Sequence, residues 1–345
     1  MLKIIAIIVM FGLIVFVHEF GHFLFAKLNH IRVNEFAIGM GPAIMKFGKK
    51  ETQYSIRILP IGGYCLMAGQ DGEGDENDEG SFQSKSVLAR LSVTLAGPLF
   101  NFILAFVLSI ATAHFYLLDP PVLSTVEKGS AAEVAGLKPG DEITKLNGSR
   151  IRLFRENTLF RQVEDLTQPI EVEYMRDGKT YDTTLHLTKE KNYMFGISVE
   201  PRESRGFGEE LYYSVLEVEF QIKTAVTSVK MLFTGKASVN DLSGPVGIGN
   251  MMSDVIDQAQ EEGGLKDAIL SIVSFMILVS ANLGIMNLLP IPALDGGRIL
   301  FLLIEAVTRK KVPKNKEMIV NFIGFVLLML LMIFVFFNDI RKLFM

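Results

Sequence analysis

The sequence holds one cysteine, Cys65, so neither an intramolecular disulfide nor a cysteine-built zinc site can form. Cys65 itself reads as a small packing residue. Net charge is nearly absent: 34 Lys and Arg stand against 38 Asp and Glu, a balance of -4 with no electrostatic footprint for nucleic acid. The first apolar run follows Lys3 much as a secretory signal would, yet no small-x-small cleavage site comes after it, which argues against a signal peptide. Polar residues are also scarce in two of the long apolar runs, with Asn101 and His114 in one and Asn321 in the other. That is too little to line an ion path across a bilayer, and it weighs against a metal transporter.

Apolar residues are abundant: they make up 49% of the 345 residues, too many for an average soluble protein. Four runs, residues 4–26, 91–118, 268–289 and 319–337, reach the roughly 20 residues that a membrane-crossing helix needs. Basic residues cluster between the first and second runs (Lys27, Arg32, Lys46, Lys49, Lys50, Arg57, Lys85). They cluster again between the third and fourth (Arg298, Arg309, Lys310, Lys311, Lys314, Lys316). The positive-inside rule puts both of these loops in the cytosol, and both termini with the long middle segment outside.

That middle segment, residues 121–201, reads as a small β-rich domain. Residues 122–126, 142–146, 170–175 and 181–187 are strand-like, with tight turns at Asn147-Gly148 and Asp177-Gly178. Gly129-Ser130-Ala131-Ala132 followed by Ala135-Gly136-Leu137 reads as a short helix closing on glycine. Residues 209–233 have helical spacing, and two placements stay open: lying on the outer membrane surface, or packed on the β domain. In the first cytosolic loop, residues 54–61 followed by Gly62-Gly63-Tyr64 and residues 65–69 read as a β-hairpin. Residues 71–80 read as a solvated, flexible acidic loop.

The chemistry begins at His18-Glu19-Phe20-Gly21-His22. On a helix, residues i and i+4 share a face, so both imidazoles can bind one zinc ion, and Glu19 is placed to act as general base. The motif lies inside an apolar run of membrane length, where ionisable groups are functional by default. Zinc takes a third protein ligand. The extended soluble-protease pattern would need Gly and His where this chain has Phe25 and Leu28. A second segment, Asn287-Leu288-Leu289-Pro290-Ile291-Pro292-Ala293-Leu294-Asp295-Gly296-Gly297, ends the third apolar run. Pro290 and Pro292 force the chain out of helical geometry, and Asp295 follows as either a metal ligand or the N-cap of a helix over 298–307.

Taken together, H-E-F-G-H in the first run and N-x-x-P-x-P-x-L-D-G-G at the end of the third resemble the site-2 protease family, in its bacterial RseP-type form with one PDZ domain. Gly39-Met40-Gly41-Pro42, Pro60-Ile61-Gly62-Gly63-Tyr64, Ala96-Gly97-Pro98-Leu99-Phe100-Asn101 and Ser243-Gly244-Pro245-Val246-Gly247-Ile248 resemble further family segments, and residues 129–141 resemble part of a PDZ module. The resemblance implies a polytopic α-helical membrane protein with four transmembrane helices, a membrane-reentrant β-hairpin and an extracytoplasmic PDZ-like α+β domain. The chain would divide into residues 1–118 and 267–345 as the two halves of the membrane core, 119–201 as the PDZ-like domain and 202–266 as a helical region at the outer surface. Zinc would be held by His18, His22 and Asp295, with Glu19 as base. Asn287 would position substrate or stabilise the oxyanion, against the alternative of a simple interhelical hydrogen bond. Many relatives carry two PDZ domains, and this chain has room for one.

The implied reaction is cleavage of transmembrane segments of single-span proteins, such as anti-sigma factors or remnant signal peptides, in a bacterial plasma (inner) membrane. A membrane helix hides its peptide bonds, so the substrate must unwind, and the hairpin offers a strand edge to receive it. Tyr54, Ile56, Ile58, Gly62, Gly63 and Tyr64, with Pro290 and Pro292, are the residues expected to meet substrate. Other expected partners are membrane lipid and a peptide ligand of the PDZ-like domain, with no role for nucleic acid. The opposing reading is a membrane scaffold that has lost catalysis, and the intact Glu19 with a full ligand set argues against it.

Overall fold

The computed structural model describes residues 2–48, 51–70, 78–188, 194–238 and 243–343. In chain order the helices are α1 (Leu2–Leu28), α2 (Val87–Ala113), α3 (Ala131–Val134), α4 (Glu156–Val163), α5 (Phe207–Phe233), α6 (Pro245–Leu288), α7 (Asp295–Thr308) and α8 (Lys314–Leu343). The strands are β1 (Val33–Phe47), β2 (Gln53–Met67), β3 (Thr125–Val126), β4 (Glu142–Leu146), β5 (Ser149–Arg150), β6 (Ile170–Arg176), β7 (Lys179–Leu185) and β8 (Ile197–Ser198). Two compact units result: Met1–Leu108 with Ser238–Met345, and Ser109–Ala237.

Four helices of the chain are long and apolar enough to cross a membrane: Ile5–Leu28, Val87–Ala113, Gly264–Leu288 and Asn315–Lys342. The second differs from the sequence expectation. It stops at Ala113, not at residue 118, because the backbone of Leu118 is already paired with Arg202. Composition stays apolar there while the hydrogen-bond partners change. The third begins at a break in α6, where Gly264 has φ 74°, a backbone that residues with a Cβ rarely adopt. The segment from Ser243 forms the start of α6, and the buried carboxylate of Asp339 on α8 accepts the backbone N–H groups of Gly244 (3.2 Å) and Gly247 (2.8 Å). A negative charge at a helix N-terminus is favourable, so the start of α6 is tied to the end of α8.

The β1–β2 pair corrects the expected hairpin. Residues 54–61 do not fold back on residues 65–69. Instead both legs of β2 lie against β1: Phe36, Ala37 and Ile38 stand beside Cys65, Tyr64 and Gly63 on one side and beside Tyr54, Ser55 and Ile56 on the other. The outer end of β1 pairs back as well, with Met45, Lys46 and Phe47 opposite Ile56, Ser55 and Tyr54. Tyr54–Ile56 is therefore flanked on both sides. Local patterning shows strand character but not which strand a segment will meet. Of the acidic run, residues 71–77 lie outside the described residues. Asp78, which follows, pairs with Arg32 at 2.6 Å and accepts the Gly80 N–H.

In the Ser109–Ala237 unit, β5-β4-β6-β7 form an antiparallel sheet, and β3 pairs with β8. Its core is Leu123, Leu146, Ile170, Val172, Leu185, Phe160 and Phe195. The turns at Asn147-Gly148 and Asp177-Gly178 have positive φ at both residues, as tight hairpin turns require. Two strands are shifted from expectation. In the segment 122–126 only Thr125–Val126 forms a strand, since Val122 bridges to Glu142, and the 181–187 strand runs from Lys179 to Leu185. Ser130 caps α3 by accepting the Glu133 N–H at 3.2 Å.

Of the two placements left open for α5, the structure shows packing on the β-rich unit. Its charged side packs on the unit through Arg155–Glu217 (2.6 Å), Lys223–Glu156 (2.9 Å) and Arg152–Glu219. Leu211, Tyr212, Val215, Val226 and Phe233 remain exposed.

Candidate metal centre

One helical turn separates His18 from His22, which puts both imidazoles on one face of α1. Asp295 is the first residue of α7. It does not cap that helix from outside: the N-cap is Leu294, and the carboxylate turns to the histidines. The helix expected over 298–307 thus starts three residues earlier. His18 Nε2 and His22 Nε2 are 3.2 Å apart, and Asp295 Oδ2 is 3.2 and 3.3 Å from them. Atoms about 2.0–2.1 Å from a tetrahedral zinc stand roughly 3.3 Å from one another. The three donors therefore form a triangle of the size of one face of such a site, and the chemistry of the set, two imidazoles and a carboxylate, suits zinc. Both histidines are buried, at 7% exposure.

The outer nitrogens are held too. His22 Nδ1 lies 2.8 Å from the Val93 carbonyl on α2, to which it donates, leaving Nε2 as the free lone pair. His18 Nδ1 lies 3.1 Å from the Asn101 amide, while Asn101 Oδ1 is buried without a partner. Turning that amide over presents Oδ1 to the His18 Nδ1–H, the arrangement a ligating Nε2 calls for, and satisfies the orphaned oxygen. Asn101 is fully buried, and Ser280 on α6 donates to its backbone carbonyl at 2.8 Å. Sequence reasoning saw Asn101 only as part of a motif and as a stray polar residue. The available signal was an amide in the middle of an apolar helix.

Gly97, one turn before Asn101, has a strict steric role. A Cβ there would stand 2.8 Å from His18 Cε1 and closer still to the His22 ring. Gly21 of the motif does the same for backbone approach, since its Cβ would lie 2.9 Å from the Ala96 carbonyl carbon. The pair Gly296-Gly297 lets the first turn of α7 fold onto the backbone of Leu288–Ile291. These close approaches bring α1, α2 and α7 to one point.

Glu19 is on α1 beside the inner leg of β2. The Cys65 backbone stands near its carboxylate, and a Cβ on Gly63 would stand 3.5 Å from its Cγ. Of the residues expected to meet substrate, Gly63 alone has a described contact with Glu19, and Gly62 and Tyr64 flank it in the chain. Tyr64 bonds Arg57, which also pairs with Glu35 at 2.8 Å. Tyr54 instead packs among Phe23, Phe36 and Phe47. Ile56 lies in the doubly flanked leg, and Ile58 is exposed. Pro290 is exposed at the end of α6, whereas Pro292 packs against Gly324 of α8. Asn287 sits half-buried on the last turn of α6 and takes no part in the hydrogen bonds to Val93 and Asn101 that orient the histidines.

The model of peptidase family M50 matches residues 6–331. A Clostridium acetobutylicum protein carrying a zinc metalloprotease name is 41% identical over 341 residues, covering 98% of this chain and 97% of that protein. Zinc metalloprotease RasP of Geobacillus kaustophilus is 33% identical, with 99% of each chain covered. Regulator of sigma-W protease RasP of Bacillus subtilis is 34% identical over 430 residues, again with 99% of each covered. That alignment is longer than the present chain, so the Bacillus protein has segments that are missing here. No PDZ model matches.

Proposed function

The chain belongs to peptidase family M50, the site-2 proteases, and is a multi-pass membrane zinc metalloprotease; from that premise we propose that it cuts the transmembrane segments of single-span proteins in regulated intramembrane proteolysis. The observation that carries the reading is the triangle of His18, His22 and Asp295, with Glu19 beside it, on a helix of membrane length. These three side chains would hold the zinc. When bound, the metal supplies Lewis acidity, polarising the scissile carbonyl and lowering the pKa of water toward neutrality.

Glu19 then takes a proton from the attacking water and returns it to the departing amide nitrogen. Asn101 and the Val93 carbonyl keep the two imidazoles in the tautomer the site needs. Asn287 is assigned to the oxyanion or to holding the substrate backbone. The substrate is extended along the Gly62–Tyr64 leg of β2, the leg next to Glu19, in place of its own helical hydrogen bonds. Phe36–Ile38 of β1 back that leg, with Tyr54–Ile56 on their far side.

Several finer assignments go with this reading. Basic residues between the first two and last two spans support cytosolic loops and outward termini. The Ser109–Ala237 unit serves as an outer PDZ-like domain that excludes substrates with bulky outer portions. Deleting residues 121–200 would then allow cleavage of an untrimmed substrate, and continued resistance by a folded deletion protein would refute the gate. The exposed apolar side of α5 rests on the outer membrane surface. The name of the Bacillus relative, a regulator of sigma-W, supports anti-sigma factors as one substrate class, alongside remnant signal peptides.

The deciding experiment is cleavage of a purified single-span model substrate in detergent by wild type and Glu19→Gln. Wild type should cut, a chelator should stop it, and Glu19→Gln should keep zinc while losing cleavage by about 1,000-fold or more, the order expected when a positioned acid–base group is lost. Equal cutting by both would overturn the role of Glu19. Zinc binding without cutting by either would favour a scaffold.

A further inference from the structure

Between residues 319 and 337, α8 carries one polar side chain, Asn321. An amide in an apolar span needs a partner that repays it. Asn321 has one: its Oδ1 accepts the backbone N–H of Ala293 at 3.3 Å. Ala293 is itself unusual. It has φ 74°, in the left-handed region, although it is not glycine. L-residues occupy that region at a cost, and a single one stays there when its surroundings hold it. One turn along α8 from Asn321, Gly324 admits the other side of the same loop. A Cβ at that position would stand 2.6 Å from the Pro292 carbonyl oxygen and 2.8 Å from its carbon. So α8 grips the segment before α7 at two points, and Asp295 comes two residues after the held alanine. Ala293, Asp295 and Asn321 also line one cavity of about 350 Å³.

We propose that Asn321 is a positioning residue for the metal centre, holding Ala293 in its left-handed conformation so that Asp295 is directed at His18 and His22. The inference rests on the reading of Asp295 as a zinc ligand. It assigns α8 a part in catalysis that needs no contact with substrate or metal. It also explains why an amide, and not an apolar residue, occupies this turn: the N–H of Ala293 would otherwise be left without a partner near membrane depth.

The test is zinc affinity of the full-length protein, measured by competition with a chromophoric chelator, together with cleavage at saturating zinc. Asn321→Leu should weaken zinc binding by roughly 10-fold or more, the size usual when an outer support of a ligand is removed. Adding Ala293→Gly should restore most of that loss, because glycine takes the left-handed backbone without a tether. A purely structural role for Asn321 in packing α8 would not respond to a change at residue 293. Wild-type zinc affinity in folded Asn321→Leu would overturn the proposal, and so would a loss that Ala293→Gly leaves untouched. Asp295→Ala separates the premise from the inference. If Asp295→Ala binds zinc as well as wild type, the ligand reading fails. If Asp295→Ala loses zinc while Asn321→Leu does not, only the positioning role fails.

Discussion

In the β-rich unit Leu123, Leu146, Ile170 and Leu185 are withdrawn from the surface, and ion pairs such as Arg155–Glu217 and Lys145–Glu173 lie toward the outside. In the helical unit His18, His22, Asn101 and Ser280 are withdrawn, while Phe322, Phe325 and Phe337 of α8 stand open. One half of the molecule hides oil from water; the other hides polarity from oil. The difference lies in what holds each together. Apolar burial drives the β unit. Between helices in lipid that drive is absent, and close approach at small residues with a few polar bonds replaces it. Gly21, Gly97, Gly284 and Gly324 are such approaches, and the bonds of Asn101, Ser280 and Asn321 are the polar contacts.

The sharpest test of this contrast compares glycines. Gly97→Ala drives a methyl into both imidazoles, so zinc binding and cleavage should fall by about 100-fold or more, the upper end for disturbed metal support. Gly148→Ala, in the β4–β5 turn, meets nothing within 4 Å and should cost only its left-handed strain of about 1–2 kcal/mol, with cleavage unchanged. Parallel zinc titration and turnover assays decide it; a fully active Gly97→Ala would break the comparison.

Asn101→Leu comes next. Loss of the partner to His18 should reduce zinc affinity roughly 10- to 100-fold while the protein still inserts and folds. Asn101→Asp, which keeps an acceptor oxygen, should retain more of it, and equal affinities for the two variants would argue against the tautomer role.

Stability effects should follow the opposite map. Leu146→Ala in the β core should destabilise that unit by about 2–5 kcal/mol, read as lost amide protection in hydrogen exchange. Phe334→Ala, exposed on α8, should stay within about 0.5 kcal/mol in detergent. Comparable losses at both sites would mean that α8 has a protein neighbour in the membrane.

The smallest effect is a pH dependence confined to the β unit. Burial pushes the Asp141 carboxyl up, but bonds from the Arg176 guanidinium and the Lys138 N–H bring it below its ordinary value overall. A depressed carboxylate stabilises the fold above its unfolded value of about 3.9 and loses that contribution as pH falls through the folded value. Amide protection of β4 and β6 should therefore decline below about pH 4, and Asp141→Asn, less protected at neutral pH, should show a flatter decline.

How much of this was legible in the chain depends on the range of the interaction. The presence of four spans, the Asn147-Gly148 and Asp177-Gly178 turns, the β4 strand and the spacing of His18 and His22 are local patterns, and they match the structure. Gly62-Gly63 reads locally as a hairpin turn, whereas in the fold it lets β2 place two legs beside one stretch of β1. The end of α2 is not legible locally, because apolar composition continues past Ala113 after the helical hydrogen bonds stop.

The sequence by itself determined the membrane class, the shared face of His18 and His22 on α1 and the break after α6, since periodicity, hydropathy and proline act over a few residues. Only the tertiary structure decided that Asp295 closes the triangle instead of capping its helix, that Asn101 and Gly97 shape the histidines, and that Asn321 reaches Ala293. Those relations join residues tens to hundreds of positions apart, and no local preference of the chain encodes a distance of 3 Å between them.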